Sequence, residues 1–327
     1  MMSSMTLADS VNMALNHELN RDPEVVLLGQ DIGKSGGVFR VTDGLYERYG
    51  KERVMDTPLA ESLIIGLCVG MASQKMRPVA EIQFMGFIFP GFNQLVTAVA
   101  RMRNRTRGRI TLPMVVRMPY GGGVHAPEHH SESTEALLAH IPGLKVVIPS
   151  TPARAYGLLL AAIRDPDPVI FLEPTRMYRK KKEEVEDNGD AFPLECCFID
   201  REGTDITLVS WGAMMHETLQ AAEQMEAEGI SCEVIDLVTI SPIDIVTIIN
   251  SVEKTGRCVI VQEASRAGGI ASEIAAELAE KAMLHLLAPV GRVAGYDTIM
   301  PYPKTEHRYM PSVRRITDEI RKAMEYR

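Results

Sequence analysis

The chain has 327 residues, 46% of them apolar and 24% charged, a balance that excludes a disordered or fibrous protein and leaves room for two ordinary domains. Its 35 basic and 43 acidic residues give a formal charge of −8, which argues against nucleic-acid binding. The five cysteines, Cys68, Cys196, Cys197, Cys232 and Cys258, form no CxxC pair, so neither a disulfide framework nor a zinc ribbon is expected, and the setting is read as reducing and cytoplasmic.

No basic region followed by an apolar stretch opens the chain, so no signal peptide is read. The most apolar run, 63–72, is well short of the ~20 residues that a membrane span needs. Short aliphatic or β-branched runs predict strands at 25–28, 79–82, 114–117, 145–148 and 169–172. Apolar residues at three- and four-residue spacing predict helices at 63–73, 94–103, 135–140 and 152–164. A polar break follows, with the run Arg179–Lys182, four acidic residues, the turn-prone Asp187-Asn188-Gly189-Asp190, and Pro193. The run reads as a solvated hinge.

The alternation then restarts. Strands are predicted at 206–210, 232–237, 258–262 and 290–294, with helices at 217–228, 242–252, 270–287 and 312–325. Ser241 with Pro242 suggests a helix cap followed by proline in the first turn. The predicted fold class is α/β, two domains, each a largely parallel sheet flanked by helices. The boundaries are 1–186, a linker at 187–204, and 205–327.

Three segments carry candidate chemistry. In the first, Asp56-Thr57-Pro58-Leu59-Ala60-Glu61, Thr57 is expected to cap a nearly all-apolar helix with Pro58 in its first turn. Glu61 has two readings: a carboxylate stabilised by the helix N-terminus, or a partly desolvated one facing a ligand and suited to exchanging a proton with a ring nitrogen. In the second segment, Gln83 and Phe87 follow a strand end, where open α/β sheets place ligands. They offer an amide and a flat face to a heteroaromatic ring, or they are a surface and a core residue. The third, 120–133, has three glycines and then His125, His129 and His130. It reads as a metal site of His125 and His129 with His130 or Glu132, as a loop with one proton-transferring histidine, or as a solvated polar loop. No P-loop or GxGxxG signature is present.

Together with these, Gly29-Gln30-Asp31-Ile32-Gly33, His130-Ser131-Glu132-Ser133, Pro142-Gly143-Leu144-Lys145-Val146-Val147 and Phe171-Leu172-Glu173-Pro174 carry a resemblance. So do Cys232-Glu233-Val234-Ile235-Asp236-Leu237, Gln262-Glu263-Ala264 and Gly295-Tyr296-Asp297-Thr298. The chain resembles, in order and over nearly its whole length, the β subunits of thiamine-diphosphate-dependent 2-oxo acid dehydrogenases. These are the decarboxylating components of pyruvate or branched-chain complexes.

The resemblance implies a transketolase-like pyrimidine-binding domain plus a transketolase C-terminal domain. It implies that Glu61 hydrogen-bonds the aminopyrimidine ring nitrogen, that Gln83 and Phe87 contact and stack on that ring, and that His130 lies near the reacting thiazolium. It also implies a potassium ion held by Met114, Ala162, Ile163, Asp165 and Asp167. The Gly-Asp-Gly motif that holds the cofactor's magnesium is absent, since Gly189-Asp190-Ala191 lacks the second glycine. An α subunit is therefore expected to hold the magnesium and diphosphate in an α2β2 heterotetramer, with a lipoyl-bearing acyltransferase core as acceptor. The substrate would be a 2-oxo acid; Phe171–Pro174 with Tyr178-Arg179 leans towards branched-chain members and broad-specificity bacterial forms, and pyruvate is expected equally because an α subunit would supply much of the substrate pocket. The competing reading is a metal-dependent hydrolase built on His125, His129 and His130.

Overall fold

A computed structural model describes residues 2–326. The chain divides into two compact units: one runs to Tyr120 and resumes over Leu137–Leu194, and the other combines Gly121–Ala136 with the chain from Glu195 onward. The cut between Leu194 and Glu195 falls within the stretch 187–204, whereas the assignment of Gly121–Ala136 to the C-terminal unit was not expected from the sequence.

In the first unit the parallel strands lie in the order Lys145–Val147, Val169–Pro174, Val115–Tyr120, Arg77–Glu81, Val25–Gly29 and Val54–Asp56. Val25–Gly29, Val115–Tyr120 and Val169–Pro174 are buried at every residue, as expected of a parallel sheet covered on both faces. Helix Leu7–Arg21, missed in the sequence, carries a Thr6–Asp9 capping box. It packs on Pro152–Arg164, which starts and ends where the sequence predicts and is capped by Thr151. Arg164 and Arg21 both pair with the fully buried Glu18.

Three expectations need correction. The polar break is not irregular throughout: after the exposed run Arg179–Lys182, Glu183–Glu186 forms a strand that pairs antiparallel with Met2–Met5. The helix predicted at 94–103 is broken into Phe89–Gln94, a π turn at Leu95–Val99, and Met102–Arg105. The helix predicted from Pro242 begins at Ile245, because Asp244 accepts from Thr247 N and is the actual cap.

In the second unit the order is Gly291–Gly295, Cys258–Ser265, Ile206–Ser210, Cys232–Asp236 and Phe198–Arg201. The first four strands are parallel, and Phe198–Arg201, inside the predicted linker, adds an antiparallel edge. Ile206, Leu208, Val234, Val259 and Val261 face Met214, Ala221, Met225, Ile316 and Ile320 in one core. Among the described residues no helix is long and apolar enough to cross a membrane.

Candidate functional site

Glu61 is the first residue of helix Glu61–Ser73. The expected cap is not made: Thr57 Oγ bonds to Pro58 O at 3.1 Å, and the helix begins only after Ala60, which offers no side-chain cap. Glu61 therefore occupies a first turn whose free N–H groups favour negative charge. Ser62 Oγ donates to Pro90 O, and a Cβ on Gly91 would lie 3.1 Å from Glu61 O. Helix Phe89–Gln94 is thus pressed against the start of Glu61's helix, and it follows directly from the turn Met85–Phe87. That packing brings Glu61 and the Phe87 turn into one neighbourhood.

Gln83 lies two residues past the carboxyl end of strand Arg77–Glu81. Its Nε2 is 3.4 Å from Gln30 O and from Asp31 Oδ2, the weak end of hydrogen bonding. Phe87 is braced by a chain of rings. Its centroid is 5.4 Å from Phe84, Phe84 is 5.4 Å from Phe39, and Phe39 is 5.1 Å from Tyr178, all within the range of favourable aromatic pairing.

Beneath these residues lies a buried charge cluster. Arg117 contacts Glu81, and its Nε and Nη2 donate to Glu173 at 2.7 and 2.8 Å. Tyr178 Oη donates to the same Glu173 carboxylate. Burial would lower the Arg117 pKa, yet Glu173 and Glu81 together hold it above the ordinary value. Burial raises the Glu81 carboxyl, with Arg117 opposing. Burial and then Glu173 push the Tyr178 phenol well up. Their clustering was not anticipated from the sequence, although a signal existed. A charged residue inside each of three fully apolar strand ends must be paired if the strands are buried together.

Among the residues proposed for potassium, oxygens of Ile163, Asp165 and Asp167 meet cationic side chains. Arg77 Nη1 donates to Ile163 O and Asp165 O at 2.8 and 3.3 Å. Lys145 pairs with the Asp165 carboxylate and Arg103 with that of Asp167, both at 2.7 Å. Met114 O accepts from Val169 N, and Ala162 is buried in helix Pro152–Arg164. Three cationic side chains at these oxygens oppose the binding of a further monovalent ion as the residues stand.

In the second unit, His130 ends the single turn Glu128–His130, whose entry is closed by His130 N donating to Pro127 O at 2.9 Å. Gly121 N donates to Glu132 O at 2.9 Å and closes the base of the loop. His125 has a left-handed backbone (φ 58°), and its Nδ1 is 2.9 Å from Glu306 Oε2. Among the described residues no group of three or more His, Cys, Asp or Glu is arranged to hold a metal ion. The three histidines are therefore not assembled as a hydrolase centre. Burial also raises Glu132, and it pushes Glu135 up to about 8; Trp211 Nε1 approaches Glu135 Oε1 at 3.4 Å.

Two family models match successive parts of the chain, the first running through the 121–136 loop. Residues 3–181 match the family described as Transketolase, pyrimidine binding domain, and residues 197–316 match Transketolase, C-terminal domain. The chain is 52% identical over 321 residues to the pyruvate dehydrogenase E1 component subunit beta of Acholeplasma laidlawii, covering 98% of each chain. It is 48% identical over 325 residues to that of Bacillus subtilis, covering 99% of this chain and 100% of the other. A solved split-gene transketolase, titled an inactive beta4 tetramer, superposes with a TM-score of 0.82 at 23% identity, covering 99% of each chain. That last likeness concerns the fold alone.

Proposed function

Because the chain belongs to the family of β subunits of the decarboxylating component of 2-oxo acid dehydrogenases, we propose that it supplies the pyrimidine half of a thiamine-diphosphate site completed by an α subunit, and that the substrate is pyruvate. The observation that carries this reading is Glu61 at the head of an apolar helix whose outer side is left bare. Leu59, Leu63, Leu67 and Phe89 are 70%, 42%, 38% and 44% exposed. A Cβ on Gly66 or Gly70 would meet nothing. A helix apolar all round is normally buried, so another chain would cover the face beside Glu61.

Thiamine diphosphate, when bound, supplies the electron sink on which a 2-oxo acid loses carbon dioxide. The residues present fit its pyrimidine end. Glu61 would hold and exchange a proton at a ring nitrogen. Gln83, with only long contacts of its own, would give its amide to the ring's polar edge, and Phe87, held by its aromatic chain, would cover one face. The chain has no Gly-Asp-Gly sequence, so the α subunit would hold the magnesium and diphosphate. His130 would deliver a proton during acyl transfer to a lipoyl group on the acyltransferase core, a role for which imidazole is suited near neutral pH. No step is assigned to potassium.

Two observations favour pyruvate over a branched-chain substrate. Phe171, Leu172, Glu173 and Tyr178 are buried, with Glu173 and Tyr178 in the Arg117 cluster, and the relatives are named for pyruvate. Co-expression with an α subunit, followed by dye-coupled assays, tests the reading. Turnover of pyruvate above that of 3-methyl-2-oxobutanoate is expected, and the reverse order would overturn the substrate assignment.

A further inference from the structure

Two glutamates far from the loop in sequence receive its backbone. Glu263, in strand Cys258–Ser265, is 3% exposed, and Glu306, in helix Pro303–Tyr309, is 1% exposed. Glu263 Oε1 accepts from Gly122 N at one end of the loop and from Ser133 Oγ, 2.9 Å away, at the other. Glu306 Oε1 accepts from Gly123 N, and its Oε2 accepts from His125 N at 3.2 Å. Successive N–H groups aimed at carboxylates form the kind of backbone concavity that holds an anion. Here the anions are the protein's own side chains.

The glycines are shaped to this arrangement. Gly121 has φ +86°, and a Cβ there would lie 2.7 Å from Glu263 Oε1. A Cβ on Gly122 would lie 2.5 Å from Met300 Cε and 3.2 Å from Glu306 Oε1. Gly123 also has positive φ. Side chains at these positions would separate the backbone from the carboxylates, which explains three consecutive glycines better than flexibility does.

We infer that Glu263 and Glu306 are positioning residues for His130, fixing the 121–133 loop at both ends so that the imidazole is presented at a set place. The inference rests on the proposed role of His130 in acyl transfer. Misplacing a reacting group by about 1 Å can cost ~10²-fold in rate, so a loop carrying such a group gains from anchors at both ends. Neither glutamate touches reacting atoms in this scheme; each acts through the histidine.

The test uses Glu263→Ala, Glu263→Gln, Glu306→Ala and Glu306→Gln in the full chain. Gln keeps one acceptor oxygen, so it should fall between Ala and wild type, and it serves where Ala prevents folding. Amide hydrogen exchange in the chain alone should quicken about tenfold or more at Gly122, Gly123 and His125, with strand Ile206–Ser210 unchanged. Unchanged loop exchange would overturn the anchoring.

Acyl transfer to a lipoyl acceptor, measured with the α subunit present, should fall by ~10²-fold in Glu263→Ala. It should fall no further when Glu263→Ala is added to His130→Ala, the non-additivity expected of residues that act as one unit. Losses that multiply, or an intact rate in the face of a loosened loop, would overturn the positioning role. A wild-type assembly that turns over no 2-oxo acid would overturn the proposed function, and the positioning role with it. The exchange result in the chain alone tells the two failures apart.

Discussion

Glu61 stands where a carboxylate is favoured by the free N–H groups of a first turn, so Glu61→Gln should fold normally. With the α subunit present, its loss of decarboxylation should be about two to four powers of ten, because an amide can bond a ring nitrogen but cannot exchange its proton. Near-normal rates would reduce Glu61 to a helix-end carboxylate. Glu135 gives a second prediction, for stability. Its ordinary value is 4.5 and its folded value about 8. Between those pH values the unfolded chain has released a proton that the folded chain retains, so stability falls as pH rises across that window. The loss is at most about 1.4 kcal/mol per pH unit. Glu135→Gln carries no such loss. Its Tm relative to wild type should rise from pH 5 to pH 8 and then level off, and a flat difference across that range would show that Glu135 ionises normally. Glu61, Gln83, Phe87 and His130 were legible as residue types in suggestive places. Glu135, Glu263 and Glu306 were not, because nothing local distinguishes a buried glutamate in a mixed segment from an exposed one.

Strands Arg77–Glu81, Val115–Tyr120 and Val169–Pro174 are neighbours in the sheet and are joined near their carboxyl ends by Glu81, Arg117 and Glu173. Arg117→Leu would leave two buried carboxylates facing one another. Breaking a buried pair this way typically costs about 3–5 kcal/mol, so urea unfolding should show a clearly lower midpoint, and an unchanged midpoint would mean that water reaches the cluster. The elements that were legible in advance have local causes: Pro152–Arg164 has Thr151 before it, proline in its first turn and one apolar face. Those misread depend on partners distant in sequence. Glu183–Glu186 is a strand because Met2–Met5 lies beside it, and the helix after Ser241 starts late because Asp244 supplies the cap. The break at Leu95–Val99 has no local signal, since a π turn uses the same residues as an α-helix.

At the scale of the whole molecule, the bare apolar side of helix Glu61–Ser73 and the missing Gly-Asp-Gly sequence lead to one expectation. The purified chain given thiamine diphosphate and magnesium should show no 2-oxo acid turnover above background, and robust activity without a partner would refute the half-site reading. The interleaving of the two units has a different consequence, which concerns the order in which the protein is made. The loop bearing His130 emerges from the ribosome early, but Gly123 waits for Glu306, 183 residues later. At ~5–20 residues per second, that interval is on the order of ten to forty seconds. During it the rest of the N-terminal half can collapse, while Gly123 and His125 have no carboxylate to bind. The histidine loop is therefore expected to be among the last parts of the chain to settle, so a nascent chain stalled before Glu306 would hold much of a folded first unit and an unformed loop.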